Sequence, residues 1–577
     1  MVNSIGRRQY ICFLLDGAPY GARPAFSMKT HTSEFDVAIV GLGPVGAVAA
    51  NLAGAAGLRT IVVERGDQPY VMPRAIVFDA EIMRIFSSIG LAKEVAAATR
   101  ALEGSIYLGA DGKPIRAFRA RPRSHELQWH PSNLFYQPEL ERILRNGLLR
   151  FPNVTVLREK EVVGVQKGDG SSELAVAAAR TTPGPGSDAR QIVRSKFVLA
   201  CDGASSTVRK LLRIALEDIG FEERWLVLDA LVNGALQWPT VYAVPEEVRS
   251  GRYSLMVCDP ARPATLIPGV GRHRRWEYMV MEYEKDDDVL GETWLSQRLA
   301  QWVEPSDVEI VRSAVYRFRA LIADRWREQN IFLLGDAAHQ TPPFYGQGMC
   351  HGIRDAAQLM WRLCLVKDGA ASVAALDSYQ IERAPHVREI IAASVMAGAE
   401  VCKLDPAAAR ARDIEFRRVE LERADRPVAI SDIVPPIRHG IIDTGSGGML
   451  LPEMLCMSAK GVLQRLDEVL AGRFTILSVE SIVQRLPTDI GMRWTGIGGQ
   501  EIVLARDEQS GHQLQDHNGN LADWLSRRYA RWAIVRPDRY VYATAADERA
   551  LASQLECLIA QLGQERLGQQ ALAGRRA

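Results

Sequence analysis

Short, wholly apolar runs alternate along the chain with longer segments in which small or apolar residues recur every three or four positions. This is the pattern of buried parallel strands separated by helices. Residues 36–40 (Asp-Val-Ala-Ile-Val) and 60–63 (Thr-Ile-Val-Val) are the first two such runs, joined by a small-residue stretch at 47–54 that predicts a helix. Residues 197–200 and 331–334 repeat the buried-strand pattern far downstream. Between 216 and 324 the texture changes: strand-like segments at 252–257, 264–267 and 276–282 alternate with turn signals, predicting a mostly antiparallel sheet. A charged, Ala-rich stretch over 404–425 predicts a helix running into a linker, closed by Pro435-Pro436. Strand–helix alternation then resumes at 473–478 and 501–505 and ends with Trp532–Val535 and a final helix over 545–562.

At 577 residues the chain is too long for one hydrophobic core and implies two or three domains. Hydrophobic residues make up 47%, charged residues 24%, and the net charge is +1, so no basic footprint for a nucleic acid is present. No apolar run reaches the roughly 18 residues of a membrane span. The eight cysteines have no paired spacing, which leaves a disulfide framework, a CxxC redox pair and a metal site unsupported and fits reduced thiols in the cytoplasm. Arg7-Arg8 precedes an apolar stretch of only six residues (Tyr10–Leu15), too short for a secretory signal. Residues 1–32 are therefore expected to be a disordered extension, with Met28 as an alternative start.

The first chemistry appears at Gly41-Leu-Gly43-Pro44-Val45-Gly46, which follows the first strand and opens the first helix. Gly41 suits a tight turn, Gly43 a close approach of backbone to a pyrophosphate, and Gly46 close packing of helix on strand. The helix N-terminus offers its free N–H groups to phosphate. Glu64, ending the second strand beside Arg65, stands where an acid takes ribose hydroxyls. The reading is a Rossmann-like dinucleotide unit. No second strand–GxGxxG–helix unit follows, since the glycine clusters at 269–271 and 496–499 lack an apolar helix behind them.

Two later segments separate FAD from a nicotinamide. One is the strand–turn 197–209, carrying Asp202-Gly203. The other is Ile331–Leu334, Gly335-Asp336-Ala-Ala-His339, then Pro342-Pro343-Phe-Tyr-Gly346-Gln347-Gly348-Met349-Cys350 at the start of an amphipathic helix. In this order with the first glycine motif, they resemble the three fingerprints of the FAD-dependent aromatic hydroxylases, the class of p-hydroxybenzoate hydroxylase and phenol hydroxylase. Stretches at 68–81, 220–227, 258–265, 275–279 and 348–355 bring the resemblance closest to the 3-(3-hydroxyphenyl)propionate hydroxylases, over roughly residues 34–400.

The resemblance implies a Rossmann-like FAD domain in two parts (33–215 and 325–403) with an inserted β-sheet substrate domain (216–324). A helix and linker (404–436) lead to a C-terminal unit (437–577) that resembles a thioredoxin-like domain; without CxxC it is expected to be structural or to form a homodimer. Asp336 is implied to hold the ribityl chain, backbone N–H groups at Met349 and Cys350 the flavin pyrimidine edge, and Arg74, after Pro73, and Gln137 further parts of the cofactor. The position of Cys350 is often Asn in the family, which matters little if its backbone makes the contact. His339 is expected to pack or hydrogen-bond rather than react.

FAD, NADH or NADPH, O2 and a phenolic small molecule are the implied reactants, through a flavin C4a-hydroperoxide. The carbonyl of Pro343 is implied to lie beside the substrate. Asp79 and Tyr253 are the candidate groups for assisting the phenol, and Trp225, Tyr253, Met256, Tyr278 and Phe318 the candidate pocket wall. A polyketide-tailoring hydroxylase, a flavin dehydrogenase without oxygenation, and a silent flavin-binding module remain open alternatives, separated by whether oxygen is consumed and built into product.

Overall fold

The computed structural model describes residues 34–69, 74–119, 129–179, 190–423, 434–480, 486–505 and 514–563. The expected extension at 1–32 and Pro73 lie outside them. In chain order, the elements that position the site begin with β1 (Phe35–Val40), α1 (Pro44–Ala55), β2 (Thr60–Val63) and α2 (Ala80–Ser88). There follow β3 (Gly104–Leu108), β4 (Pro114–Arg119), α3 (Gln137–Gly147), β5 (Val154–Leu157), β6 (Gln191–Ala200) and β7 (Leu216–Val232). Next are β8 (Tyr253–Val257), β9 (Ala264–Ile267), β10 (His273–Met279), β11 (Val308–Ala323), β12 (Ile331–Leu333) and β13 (His339–Gln340). Helices α4 (Gly348–Lys367), α5 (Ser378–Val401) and α6 (Pro406–Glu422) close the first 423 residues.

Strands β12, β6, β1, β2 and β5 run parallel in that order, and a hairpin at Lys160–Lys167 and Ser172–Ala178 joins β6. Apart from the edge strand β5, their apolar runs are buried on both faces, which is why they read as continuous rather than alternating. Helix α1 packs against α4 through small residues, so the first glycine turn and the start of α4 come together although 300 positions separate them.

The second sheet has eight strands in the order β13–β11–β7–β10–β9–β8–β3–β4. It is antiparallel except where β3 runs parallel to β8. Three of its strands, β3, β4 and β13, come from outside the segment 216–324, so the inserted sheet is completed by the dinucleotide unit on either side. Period-two alternation divides its residues. Leu226, Leu228, Ala230, Leu255, Val257, Leu266, Trp276 and Tyr278 face one side and form an apolar core of their own. Trp225, Val227, Ser254, Met256, Thr265, Arg275 and Glu277 face the other, over a cavity.

The C-terminal unit contains β14 (Thr475–Ser478), α7 (Thr488–Gly496), β15 (Gln500–Val503), α8 (Asn520–Ser526), β16 (Trp532–Val535), β17 (Val541–Ala545) and α9 (Glu548–Gln561). The sheet order is β15–β14–β16–β17 with only β14 and β15 parallel. It meets the rest of the chain through buried ions. Arg84 donates to both Asp467 oxygens at 2.8 and 2.7 Å, Arg536 to Glu382 at 2.8 Å, and the Trp361 indole to Asp538 at 3.1 Å.

Candidate active site

The first glycine turn is closed by packing on one side and open on the other. Gly41 has φ +95°, and a Cβ there would lie 2.6 Å from the Cys201 carbonyl oxygen. A Cβ on Gly46 would lie 2.0 Å from the Gly41 carbonyl oxygen. Gly43, Gly203 and Gly348, one from each of the three motifs, have open space where a Cβ would stand, and all three line one cavity. Pro44 and Val45 line it beside them. The cradle thus leaves backbone bare at three points while the packed glycines fix its shape.

Glu64 holds the loop's rim: its carboxylate accepts from Leu42 N–H at 2.6 Å and from Gly66 N–H at 2.8 Å, and Arg65 is exposed beside it. Arg145, which the sequence reading missed, reaches the same loop from α3. It donates to the Leu42 carbonyl at 3.1 Å, and its buried Nε and Nη1 carry no hydrogen bond among the described residues. Gln137, Glu141 and Arg145 lie at i, i+4 and i+8, one polar stripe on one face of α3; that spacing is the signal that points to Arg145.

At the other end, Gln137 works through its amide oxygen, which accepts the backbone N–H groups of Arg74 (2.7 Å) and Ala75 (2.9 Å) and so fixes that loop. Arg74 and Asp336, both half-exposed at the cavity mouth, pair at 3.3 Å. The Gly335 turn is anchored from below: Asp355 accepts Gly335 N–H at 3.0 Å and contacts His339 Nε2 at 2.8 Å and Arg383 Nε at 2.8 Å. Burial alone would raise the Asp355 carboxyl, but His339 and Arg383 hold it at about 2. His339 is thus a buried support.

Gly346 has φ +63° and turns the chain into α4, whose N-cap, Gln347, makes no side-chain cap. The first N–H groups of α4, at Gly348, Met349 and Cys350, therefore stay free of helical partners. Gln347 itself points inward, donating to Asp79 at 3.1 Å and accepting from Arg354 at 3.0 Å. Burial pushes the Cys350 thiol up, leaving it inert. Pro343 lines the cavity, and its carbonyl accepts Gly346 N–H at 2.8 Å, which occupies one of its two lone pairs.

Several expectations are corrected. Asp79 caps α2 through Glu81 and Ile82 N–H (3.1 and 3.3 Å) and is paired to Arg354 at 2.6 Å; with Gln347 also donating, this carboxylate is fully engaged in structure. Tyr253 points to the apolar core side of β8, because its neighbours Ser254 and Met256 take the cavity side. Tyr278 faces that core as well, whereas Trp225, Met256 and Phe318 do line the cavity. Asp202 turns away from the cavity to accept Ser206 Oγ (2.5 Å) and Val208 N–H (3.1 Å), leaving Gly203 on the wall.

The cavity is about 470 Å³, roofed by residues 74–79 and 340–349 and floored by the second sheet. Strand register arranges the floor in rows. Arg312, Asp229 and Arg275 stand side by side, then Ala314, Val227, Glu277 and Thr265, then Tyr316, Trp225 and Met279. Asp229 contacts Arg275 at 2.8 Å, Arg312 at 3.3 Å and His273 at 2.9 Å. Burial would raise the Asp229 carboxyl, but His273 and Arg275 hold it below the usual carboxylate range. Arg275 also donates to the Arg74 carbonyl at 2.7 Å, tying floor to roof. These residues fit FAD: bare glycine backbone, uncapped helix starts and the part-unpaired Arg145 suit a pyrophosphate, and the cavity ends on an aromatic and polar floor.

Residues 34–394 match the FAD binding domain family model, and residues 448–561 match the HcaD C-terminal domain. The chain is 32% identical to a probable NADH-specific resorcinol 4-hydroxylase of Rhodococcus jostii, over 91% of this chain and 94% of that one. It is 33% identical to a 3-(3-hydroxy-phenyl)propionate/3-hydroxycinnamic acid hydroxylase of Klebsiella pneumoniae, over 92% and 94%. The chain belongs to the FAD-dependent aromatic hydroxylases. Among solved structures, the hydroxylase resembles the flavin-dependent monooxygenase PieE in fold (TM-score 0.76, 19% identity, 92% of this chain and 100% of that one). It also resembles the OxyS anhydrotetracycline hydroxylase of Streptomyces rimosus (TM-score 0.69, 22% identity, 91% and 99%). It is a flavin monooxygenase acting on an aromatic substrate, with FAD as cofactor and O2 as oxidant. No helix among the described residues is long and apolar enough to cross a membrane.

Proposed function

We propose that this hydroxylase acts on a single-ring, meta-substituted phenol of the 3-(3-hydroxyphenyl)propionate or resorcinol type, using NADH or NADPH as reductant. The size and lining of the cavity carry this reading. At about 470 Å³ it lies low in the range of roughly 300–1,000 Å³ for small-molecule sites, and the flavin ring must share it. The space left suits one substituted ring better than the fused rings of a polyketide. Trp225, Met256 and Phe318 offer the ring an apolar wall, and Arg275 and Arg312, which balance Asp229 and Glu277, are the floor cations that a negative tail on the substrate would meet.

Bound flavin supplies the activation of oxygen; the chain's own residues bind, orient and exclude water. The uncapped start of α4 would favour negative charge on a flavin held against it. Arg275 fixes the Arg74 loop against the floor, keeping ring and substrate in register.

A panel of 3-(3-hydroxyphenyl)propionate, resorcinol, phenol and a fused-ring polyphenol tests the proposal, with nicotinamide absorbance, dissolved oxygen and product mass followed together. The expected result is matched consumption of both, and one added oxygen, for a single-ring meta-substituted phenol. Oxygenation of the fused-ring compound alone, or nicotinamide oxidation without oxygen uptake, overturns it.

A further inference from the structure

Glu277 lies in the middle of β10, flanked by Val227 of β7 and Thr265 of β9, at the centre of the cavity floor. Its side chain is 12% exposed, and its nearest cation, Arg275 Nη1, is 3.8 Å from Oε1, beyond hydrogen-bond reach. The donors of Arg275 go elsewhere, to both oxygens of Asp229 (2.8 and 3.1 Å) and to the Arg74 carbonyl (2.7 Å). No hydrogen bond reaches the Glu277 carboxyl from any described residue. The other carboxylates around this cavity are engaged: Asp79 by its cap and Arg354, Asp229 by its arginines, Asp336 by Arg74. A largely buried carboxyl whose one ion pair, to Arg275 at 3.8 Å, brings no hydrogen bond is costly, and a cavity holding it is built for a ligand that supplies the donor.

We infer that Glu277 receives the hydroxyl of the bound phenol and takes its proton during hydroxylation. The inference rests on the phenol reading above and deepens it. The phenol O–H bond breaks, the proton passes to a Glu277 oxygen, and the freed electron pair moves into the ring. A ring carbon ortho or para to that oxygen then forms its C–O bond to one atom of O2 while the O–O bond breaks. The second atom of O2 leaves as water, the nicotinamide having supplied the two electrons. Loss of the ring proton restores aromaticity as the Glu277 proton returns to the ring oxygen, so that phenol, O2, NAD(P)H and one proton become diol, water and NAD(P)+. Glu277 thus acts as the catalytic base.

Burial pushes the Glu277 carboxyl up, with Asp229 acting in the same direction and Arg275 and Arg312 against it. Its proton affinity is thereby brought toward that of a phenol. The other titratable or charged groups on the cavity wall are Tyr316, Arg317 and Arg319 of β11, Tyr107 of β3, Cys201 after β6, and Arg74, Asp79, Asp336 and Tyr345 of the roof.

Glu277→Gln keeps the shape and removes the base. The wild-type holoenzyme is first assayed on 3-(3-hydroxyphenyl)propionate and resorcinol; if neither is oxygenated, the phenol reading fails, and the inference with it. On the phenol that works, Glu277→Gln is expected to keep the visible spectrum of bound FAD and a KM within about tenfold. Product formation should fall by about 100-fold or more. Ring-fluorinated analogues, whose more acidic hydroxyl ionises without help, should restore much of it. A wild-type rate and pH profile in Glu277→Gln, or an equal loss on phenols of every acidity, overturns the inference while leaving the phenol reading standing. Should the glutamine variant not take up FAD, Glu277→Asp carries the test: its carboxylate should retain most product formation at a raised KM, and a loss as deep as 100-fold overturns the inference.

Discussion

The two faces of the second sheet are made by the same strands and have opposite characters. On one, Leu226, Leu228, Leu255, Leu266, Trp276 and Tyr278 pack into an apolar core; on the other, Ser254, Thr265, Arg275, Glu277 and Arg312 line the cavity, with Asp229 buried beside the arginines. An antiparallel sheet with one polar face is ordinarily wetted on that face. Here it is roofed by residues 74–79 and 340–349, so its polar groups answer to one another and to ligands instead of to bulk water. The apolar face stabilises the domain, while the polar face gives up stability to form a site.

The sharpest way to break the comparison is to damage each face by a similar amount. Asp229→Ala leaves Arg275 and Arg312 facing each other unscreened, and should cost about 3–5 kcal/mol, read as a fall in Tm. Leu228→Ala should cost about 2–5 kcal/mol through the cavity it leaves. The outcomes should part in function: at a temperature where both variants are folded, Leu228→Ala keeps product yield per nicotinamide, and Asp229→Ala loses it. Equal yields would mean that the polar face is mere packing.

The roof has its own acid limb. Asp355 is held at about 2, below its unfolded value of about 3.9, so its stabilisation is present above about pH 4 and is lost as pH falls toward 2. It amounts to about 2–3 kcal/mol, and Asp355→Asn should flatten that limb of a Tm-against-pH curve. A limb unchanged by the substitution would remove Asp355 as anchor of the Gly335 turn.

Gly43→Ala has φ −70° and an open Cβ position, so the apo protein should melt within about 0.5 kcal/mol of wild type. FAD affinity should nevertheless drop, by about tenfold or more for each 1.4 kcal/mol of lost approach, as read by fluorescence titration. Loss of apo stability without loss of FAD affinity would contradict the open cradle. The smallest effect is expected at Tyr253→Phe. Its hydroxyl is on the apolar side of β8, and both product yield and stability should stay within about 0.5 kcal/mol of wild type.

The glycine turns around the cavity were legible because their demands are local: Gly41, Gly46 and Gly346 are required by packing that passes too close, or backbone that turns too tightly, for any Cβ. The strand–helix alternation of the C-terminal unit was likewise legible in its apolar runs at 473–478, 501–505 and 532–535. The cavity floor was not. Alternation along β8 and β10 shows that two faces exist but not which one the roof covers, so choosing by size selected Tyr253 and Tyr278 and passed over Ser254, Thr265 and Glu277. Asp79 and Asp202 were misread because helix starts lie just downstream of each, at Ala80 and Thr207, and a helix start claims a carboxylate more cheaply than a ligand does. Arg145 was hidden by distance: only folding brings α3 to the first glycine turn. The three-strand contribution of β3, β4 and β13 to the sheet is equally non-local.

Titration of the FAD-bound hydroxylase with 3-(3-hydroxyphenyl)propionate, without reductant, reads the polar face most directly. A ring seated between that face and the flavin should shift the visible band of FAD in a saturable way, with a midpoint matching the KM for stimulated nicotinamide oxidation. A band that stays fixed while the phenol still drives oxygenation would place the substrate elsewhere and contradict the account.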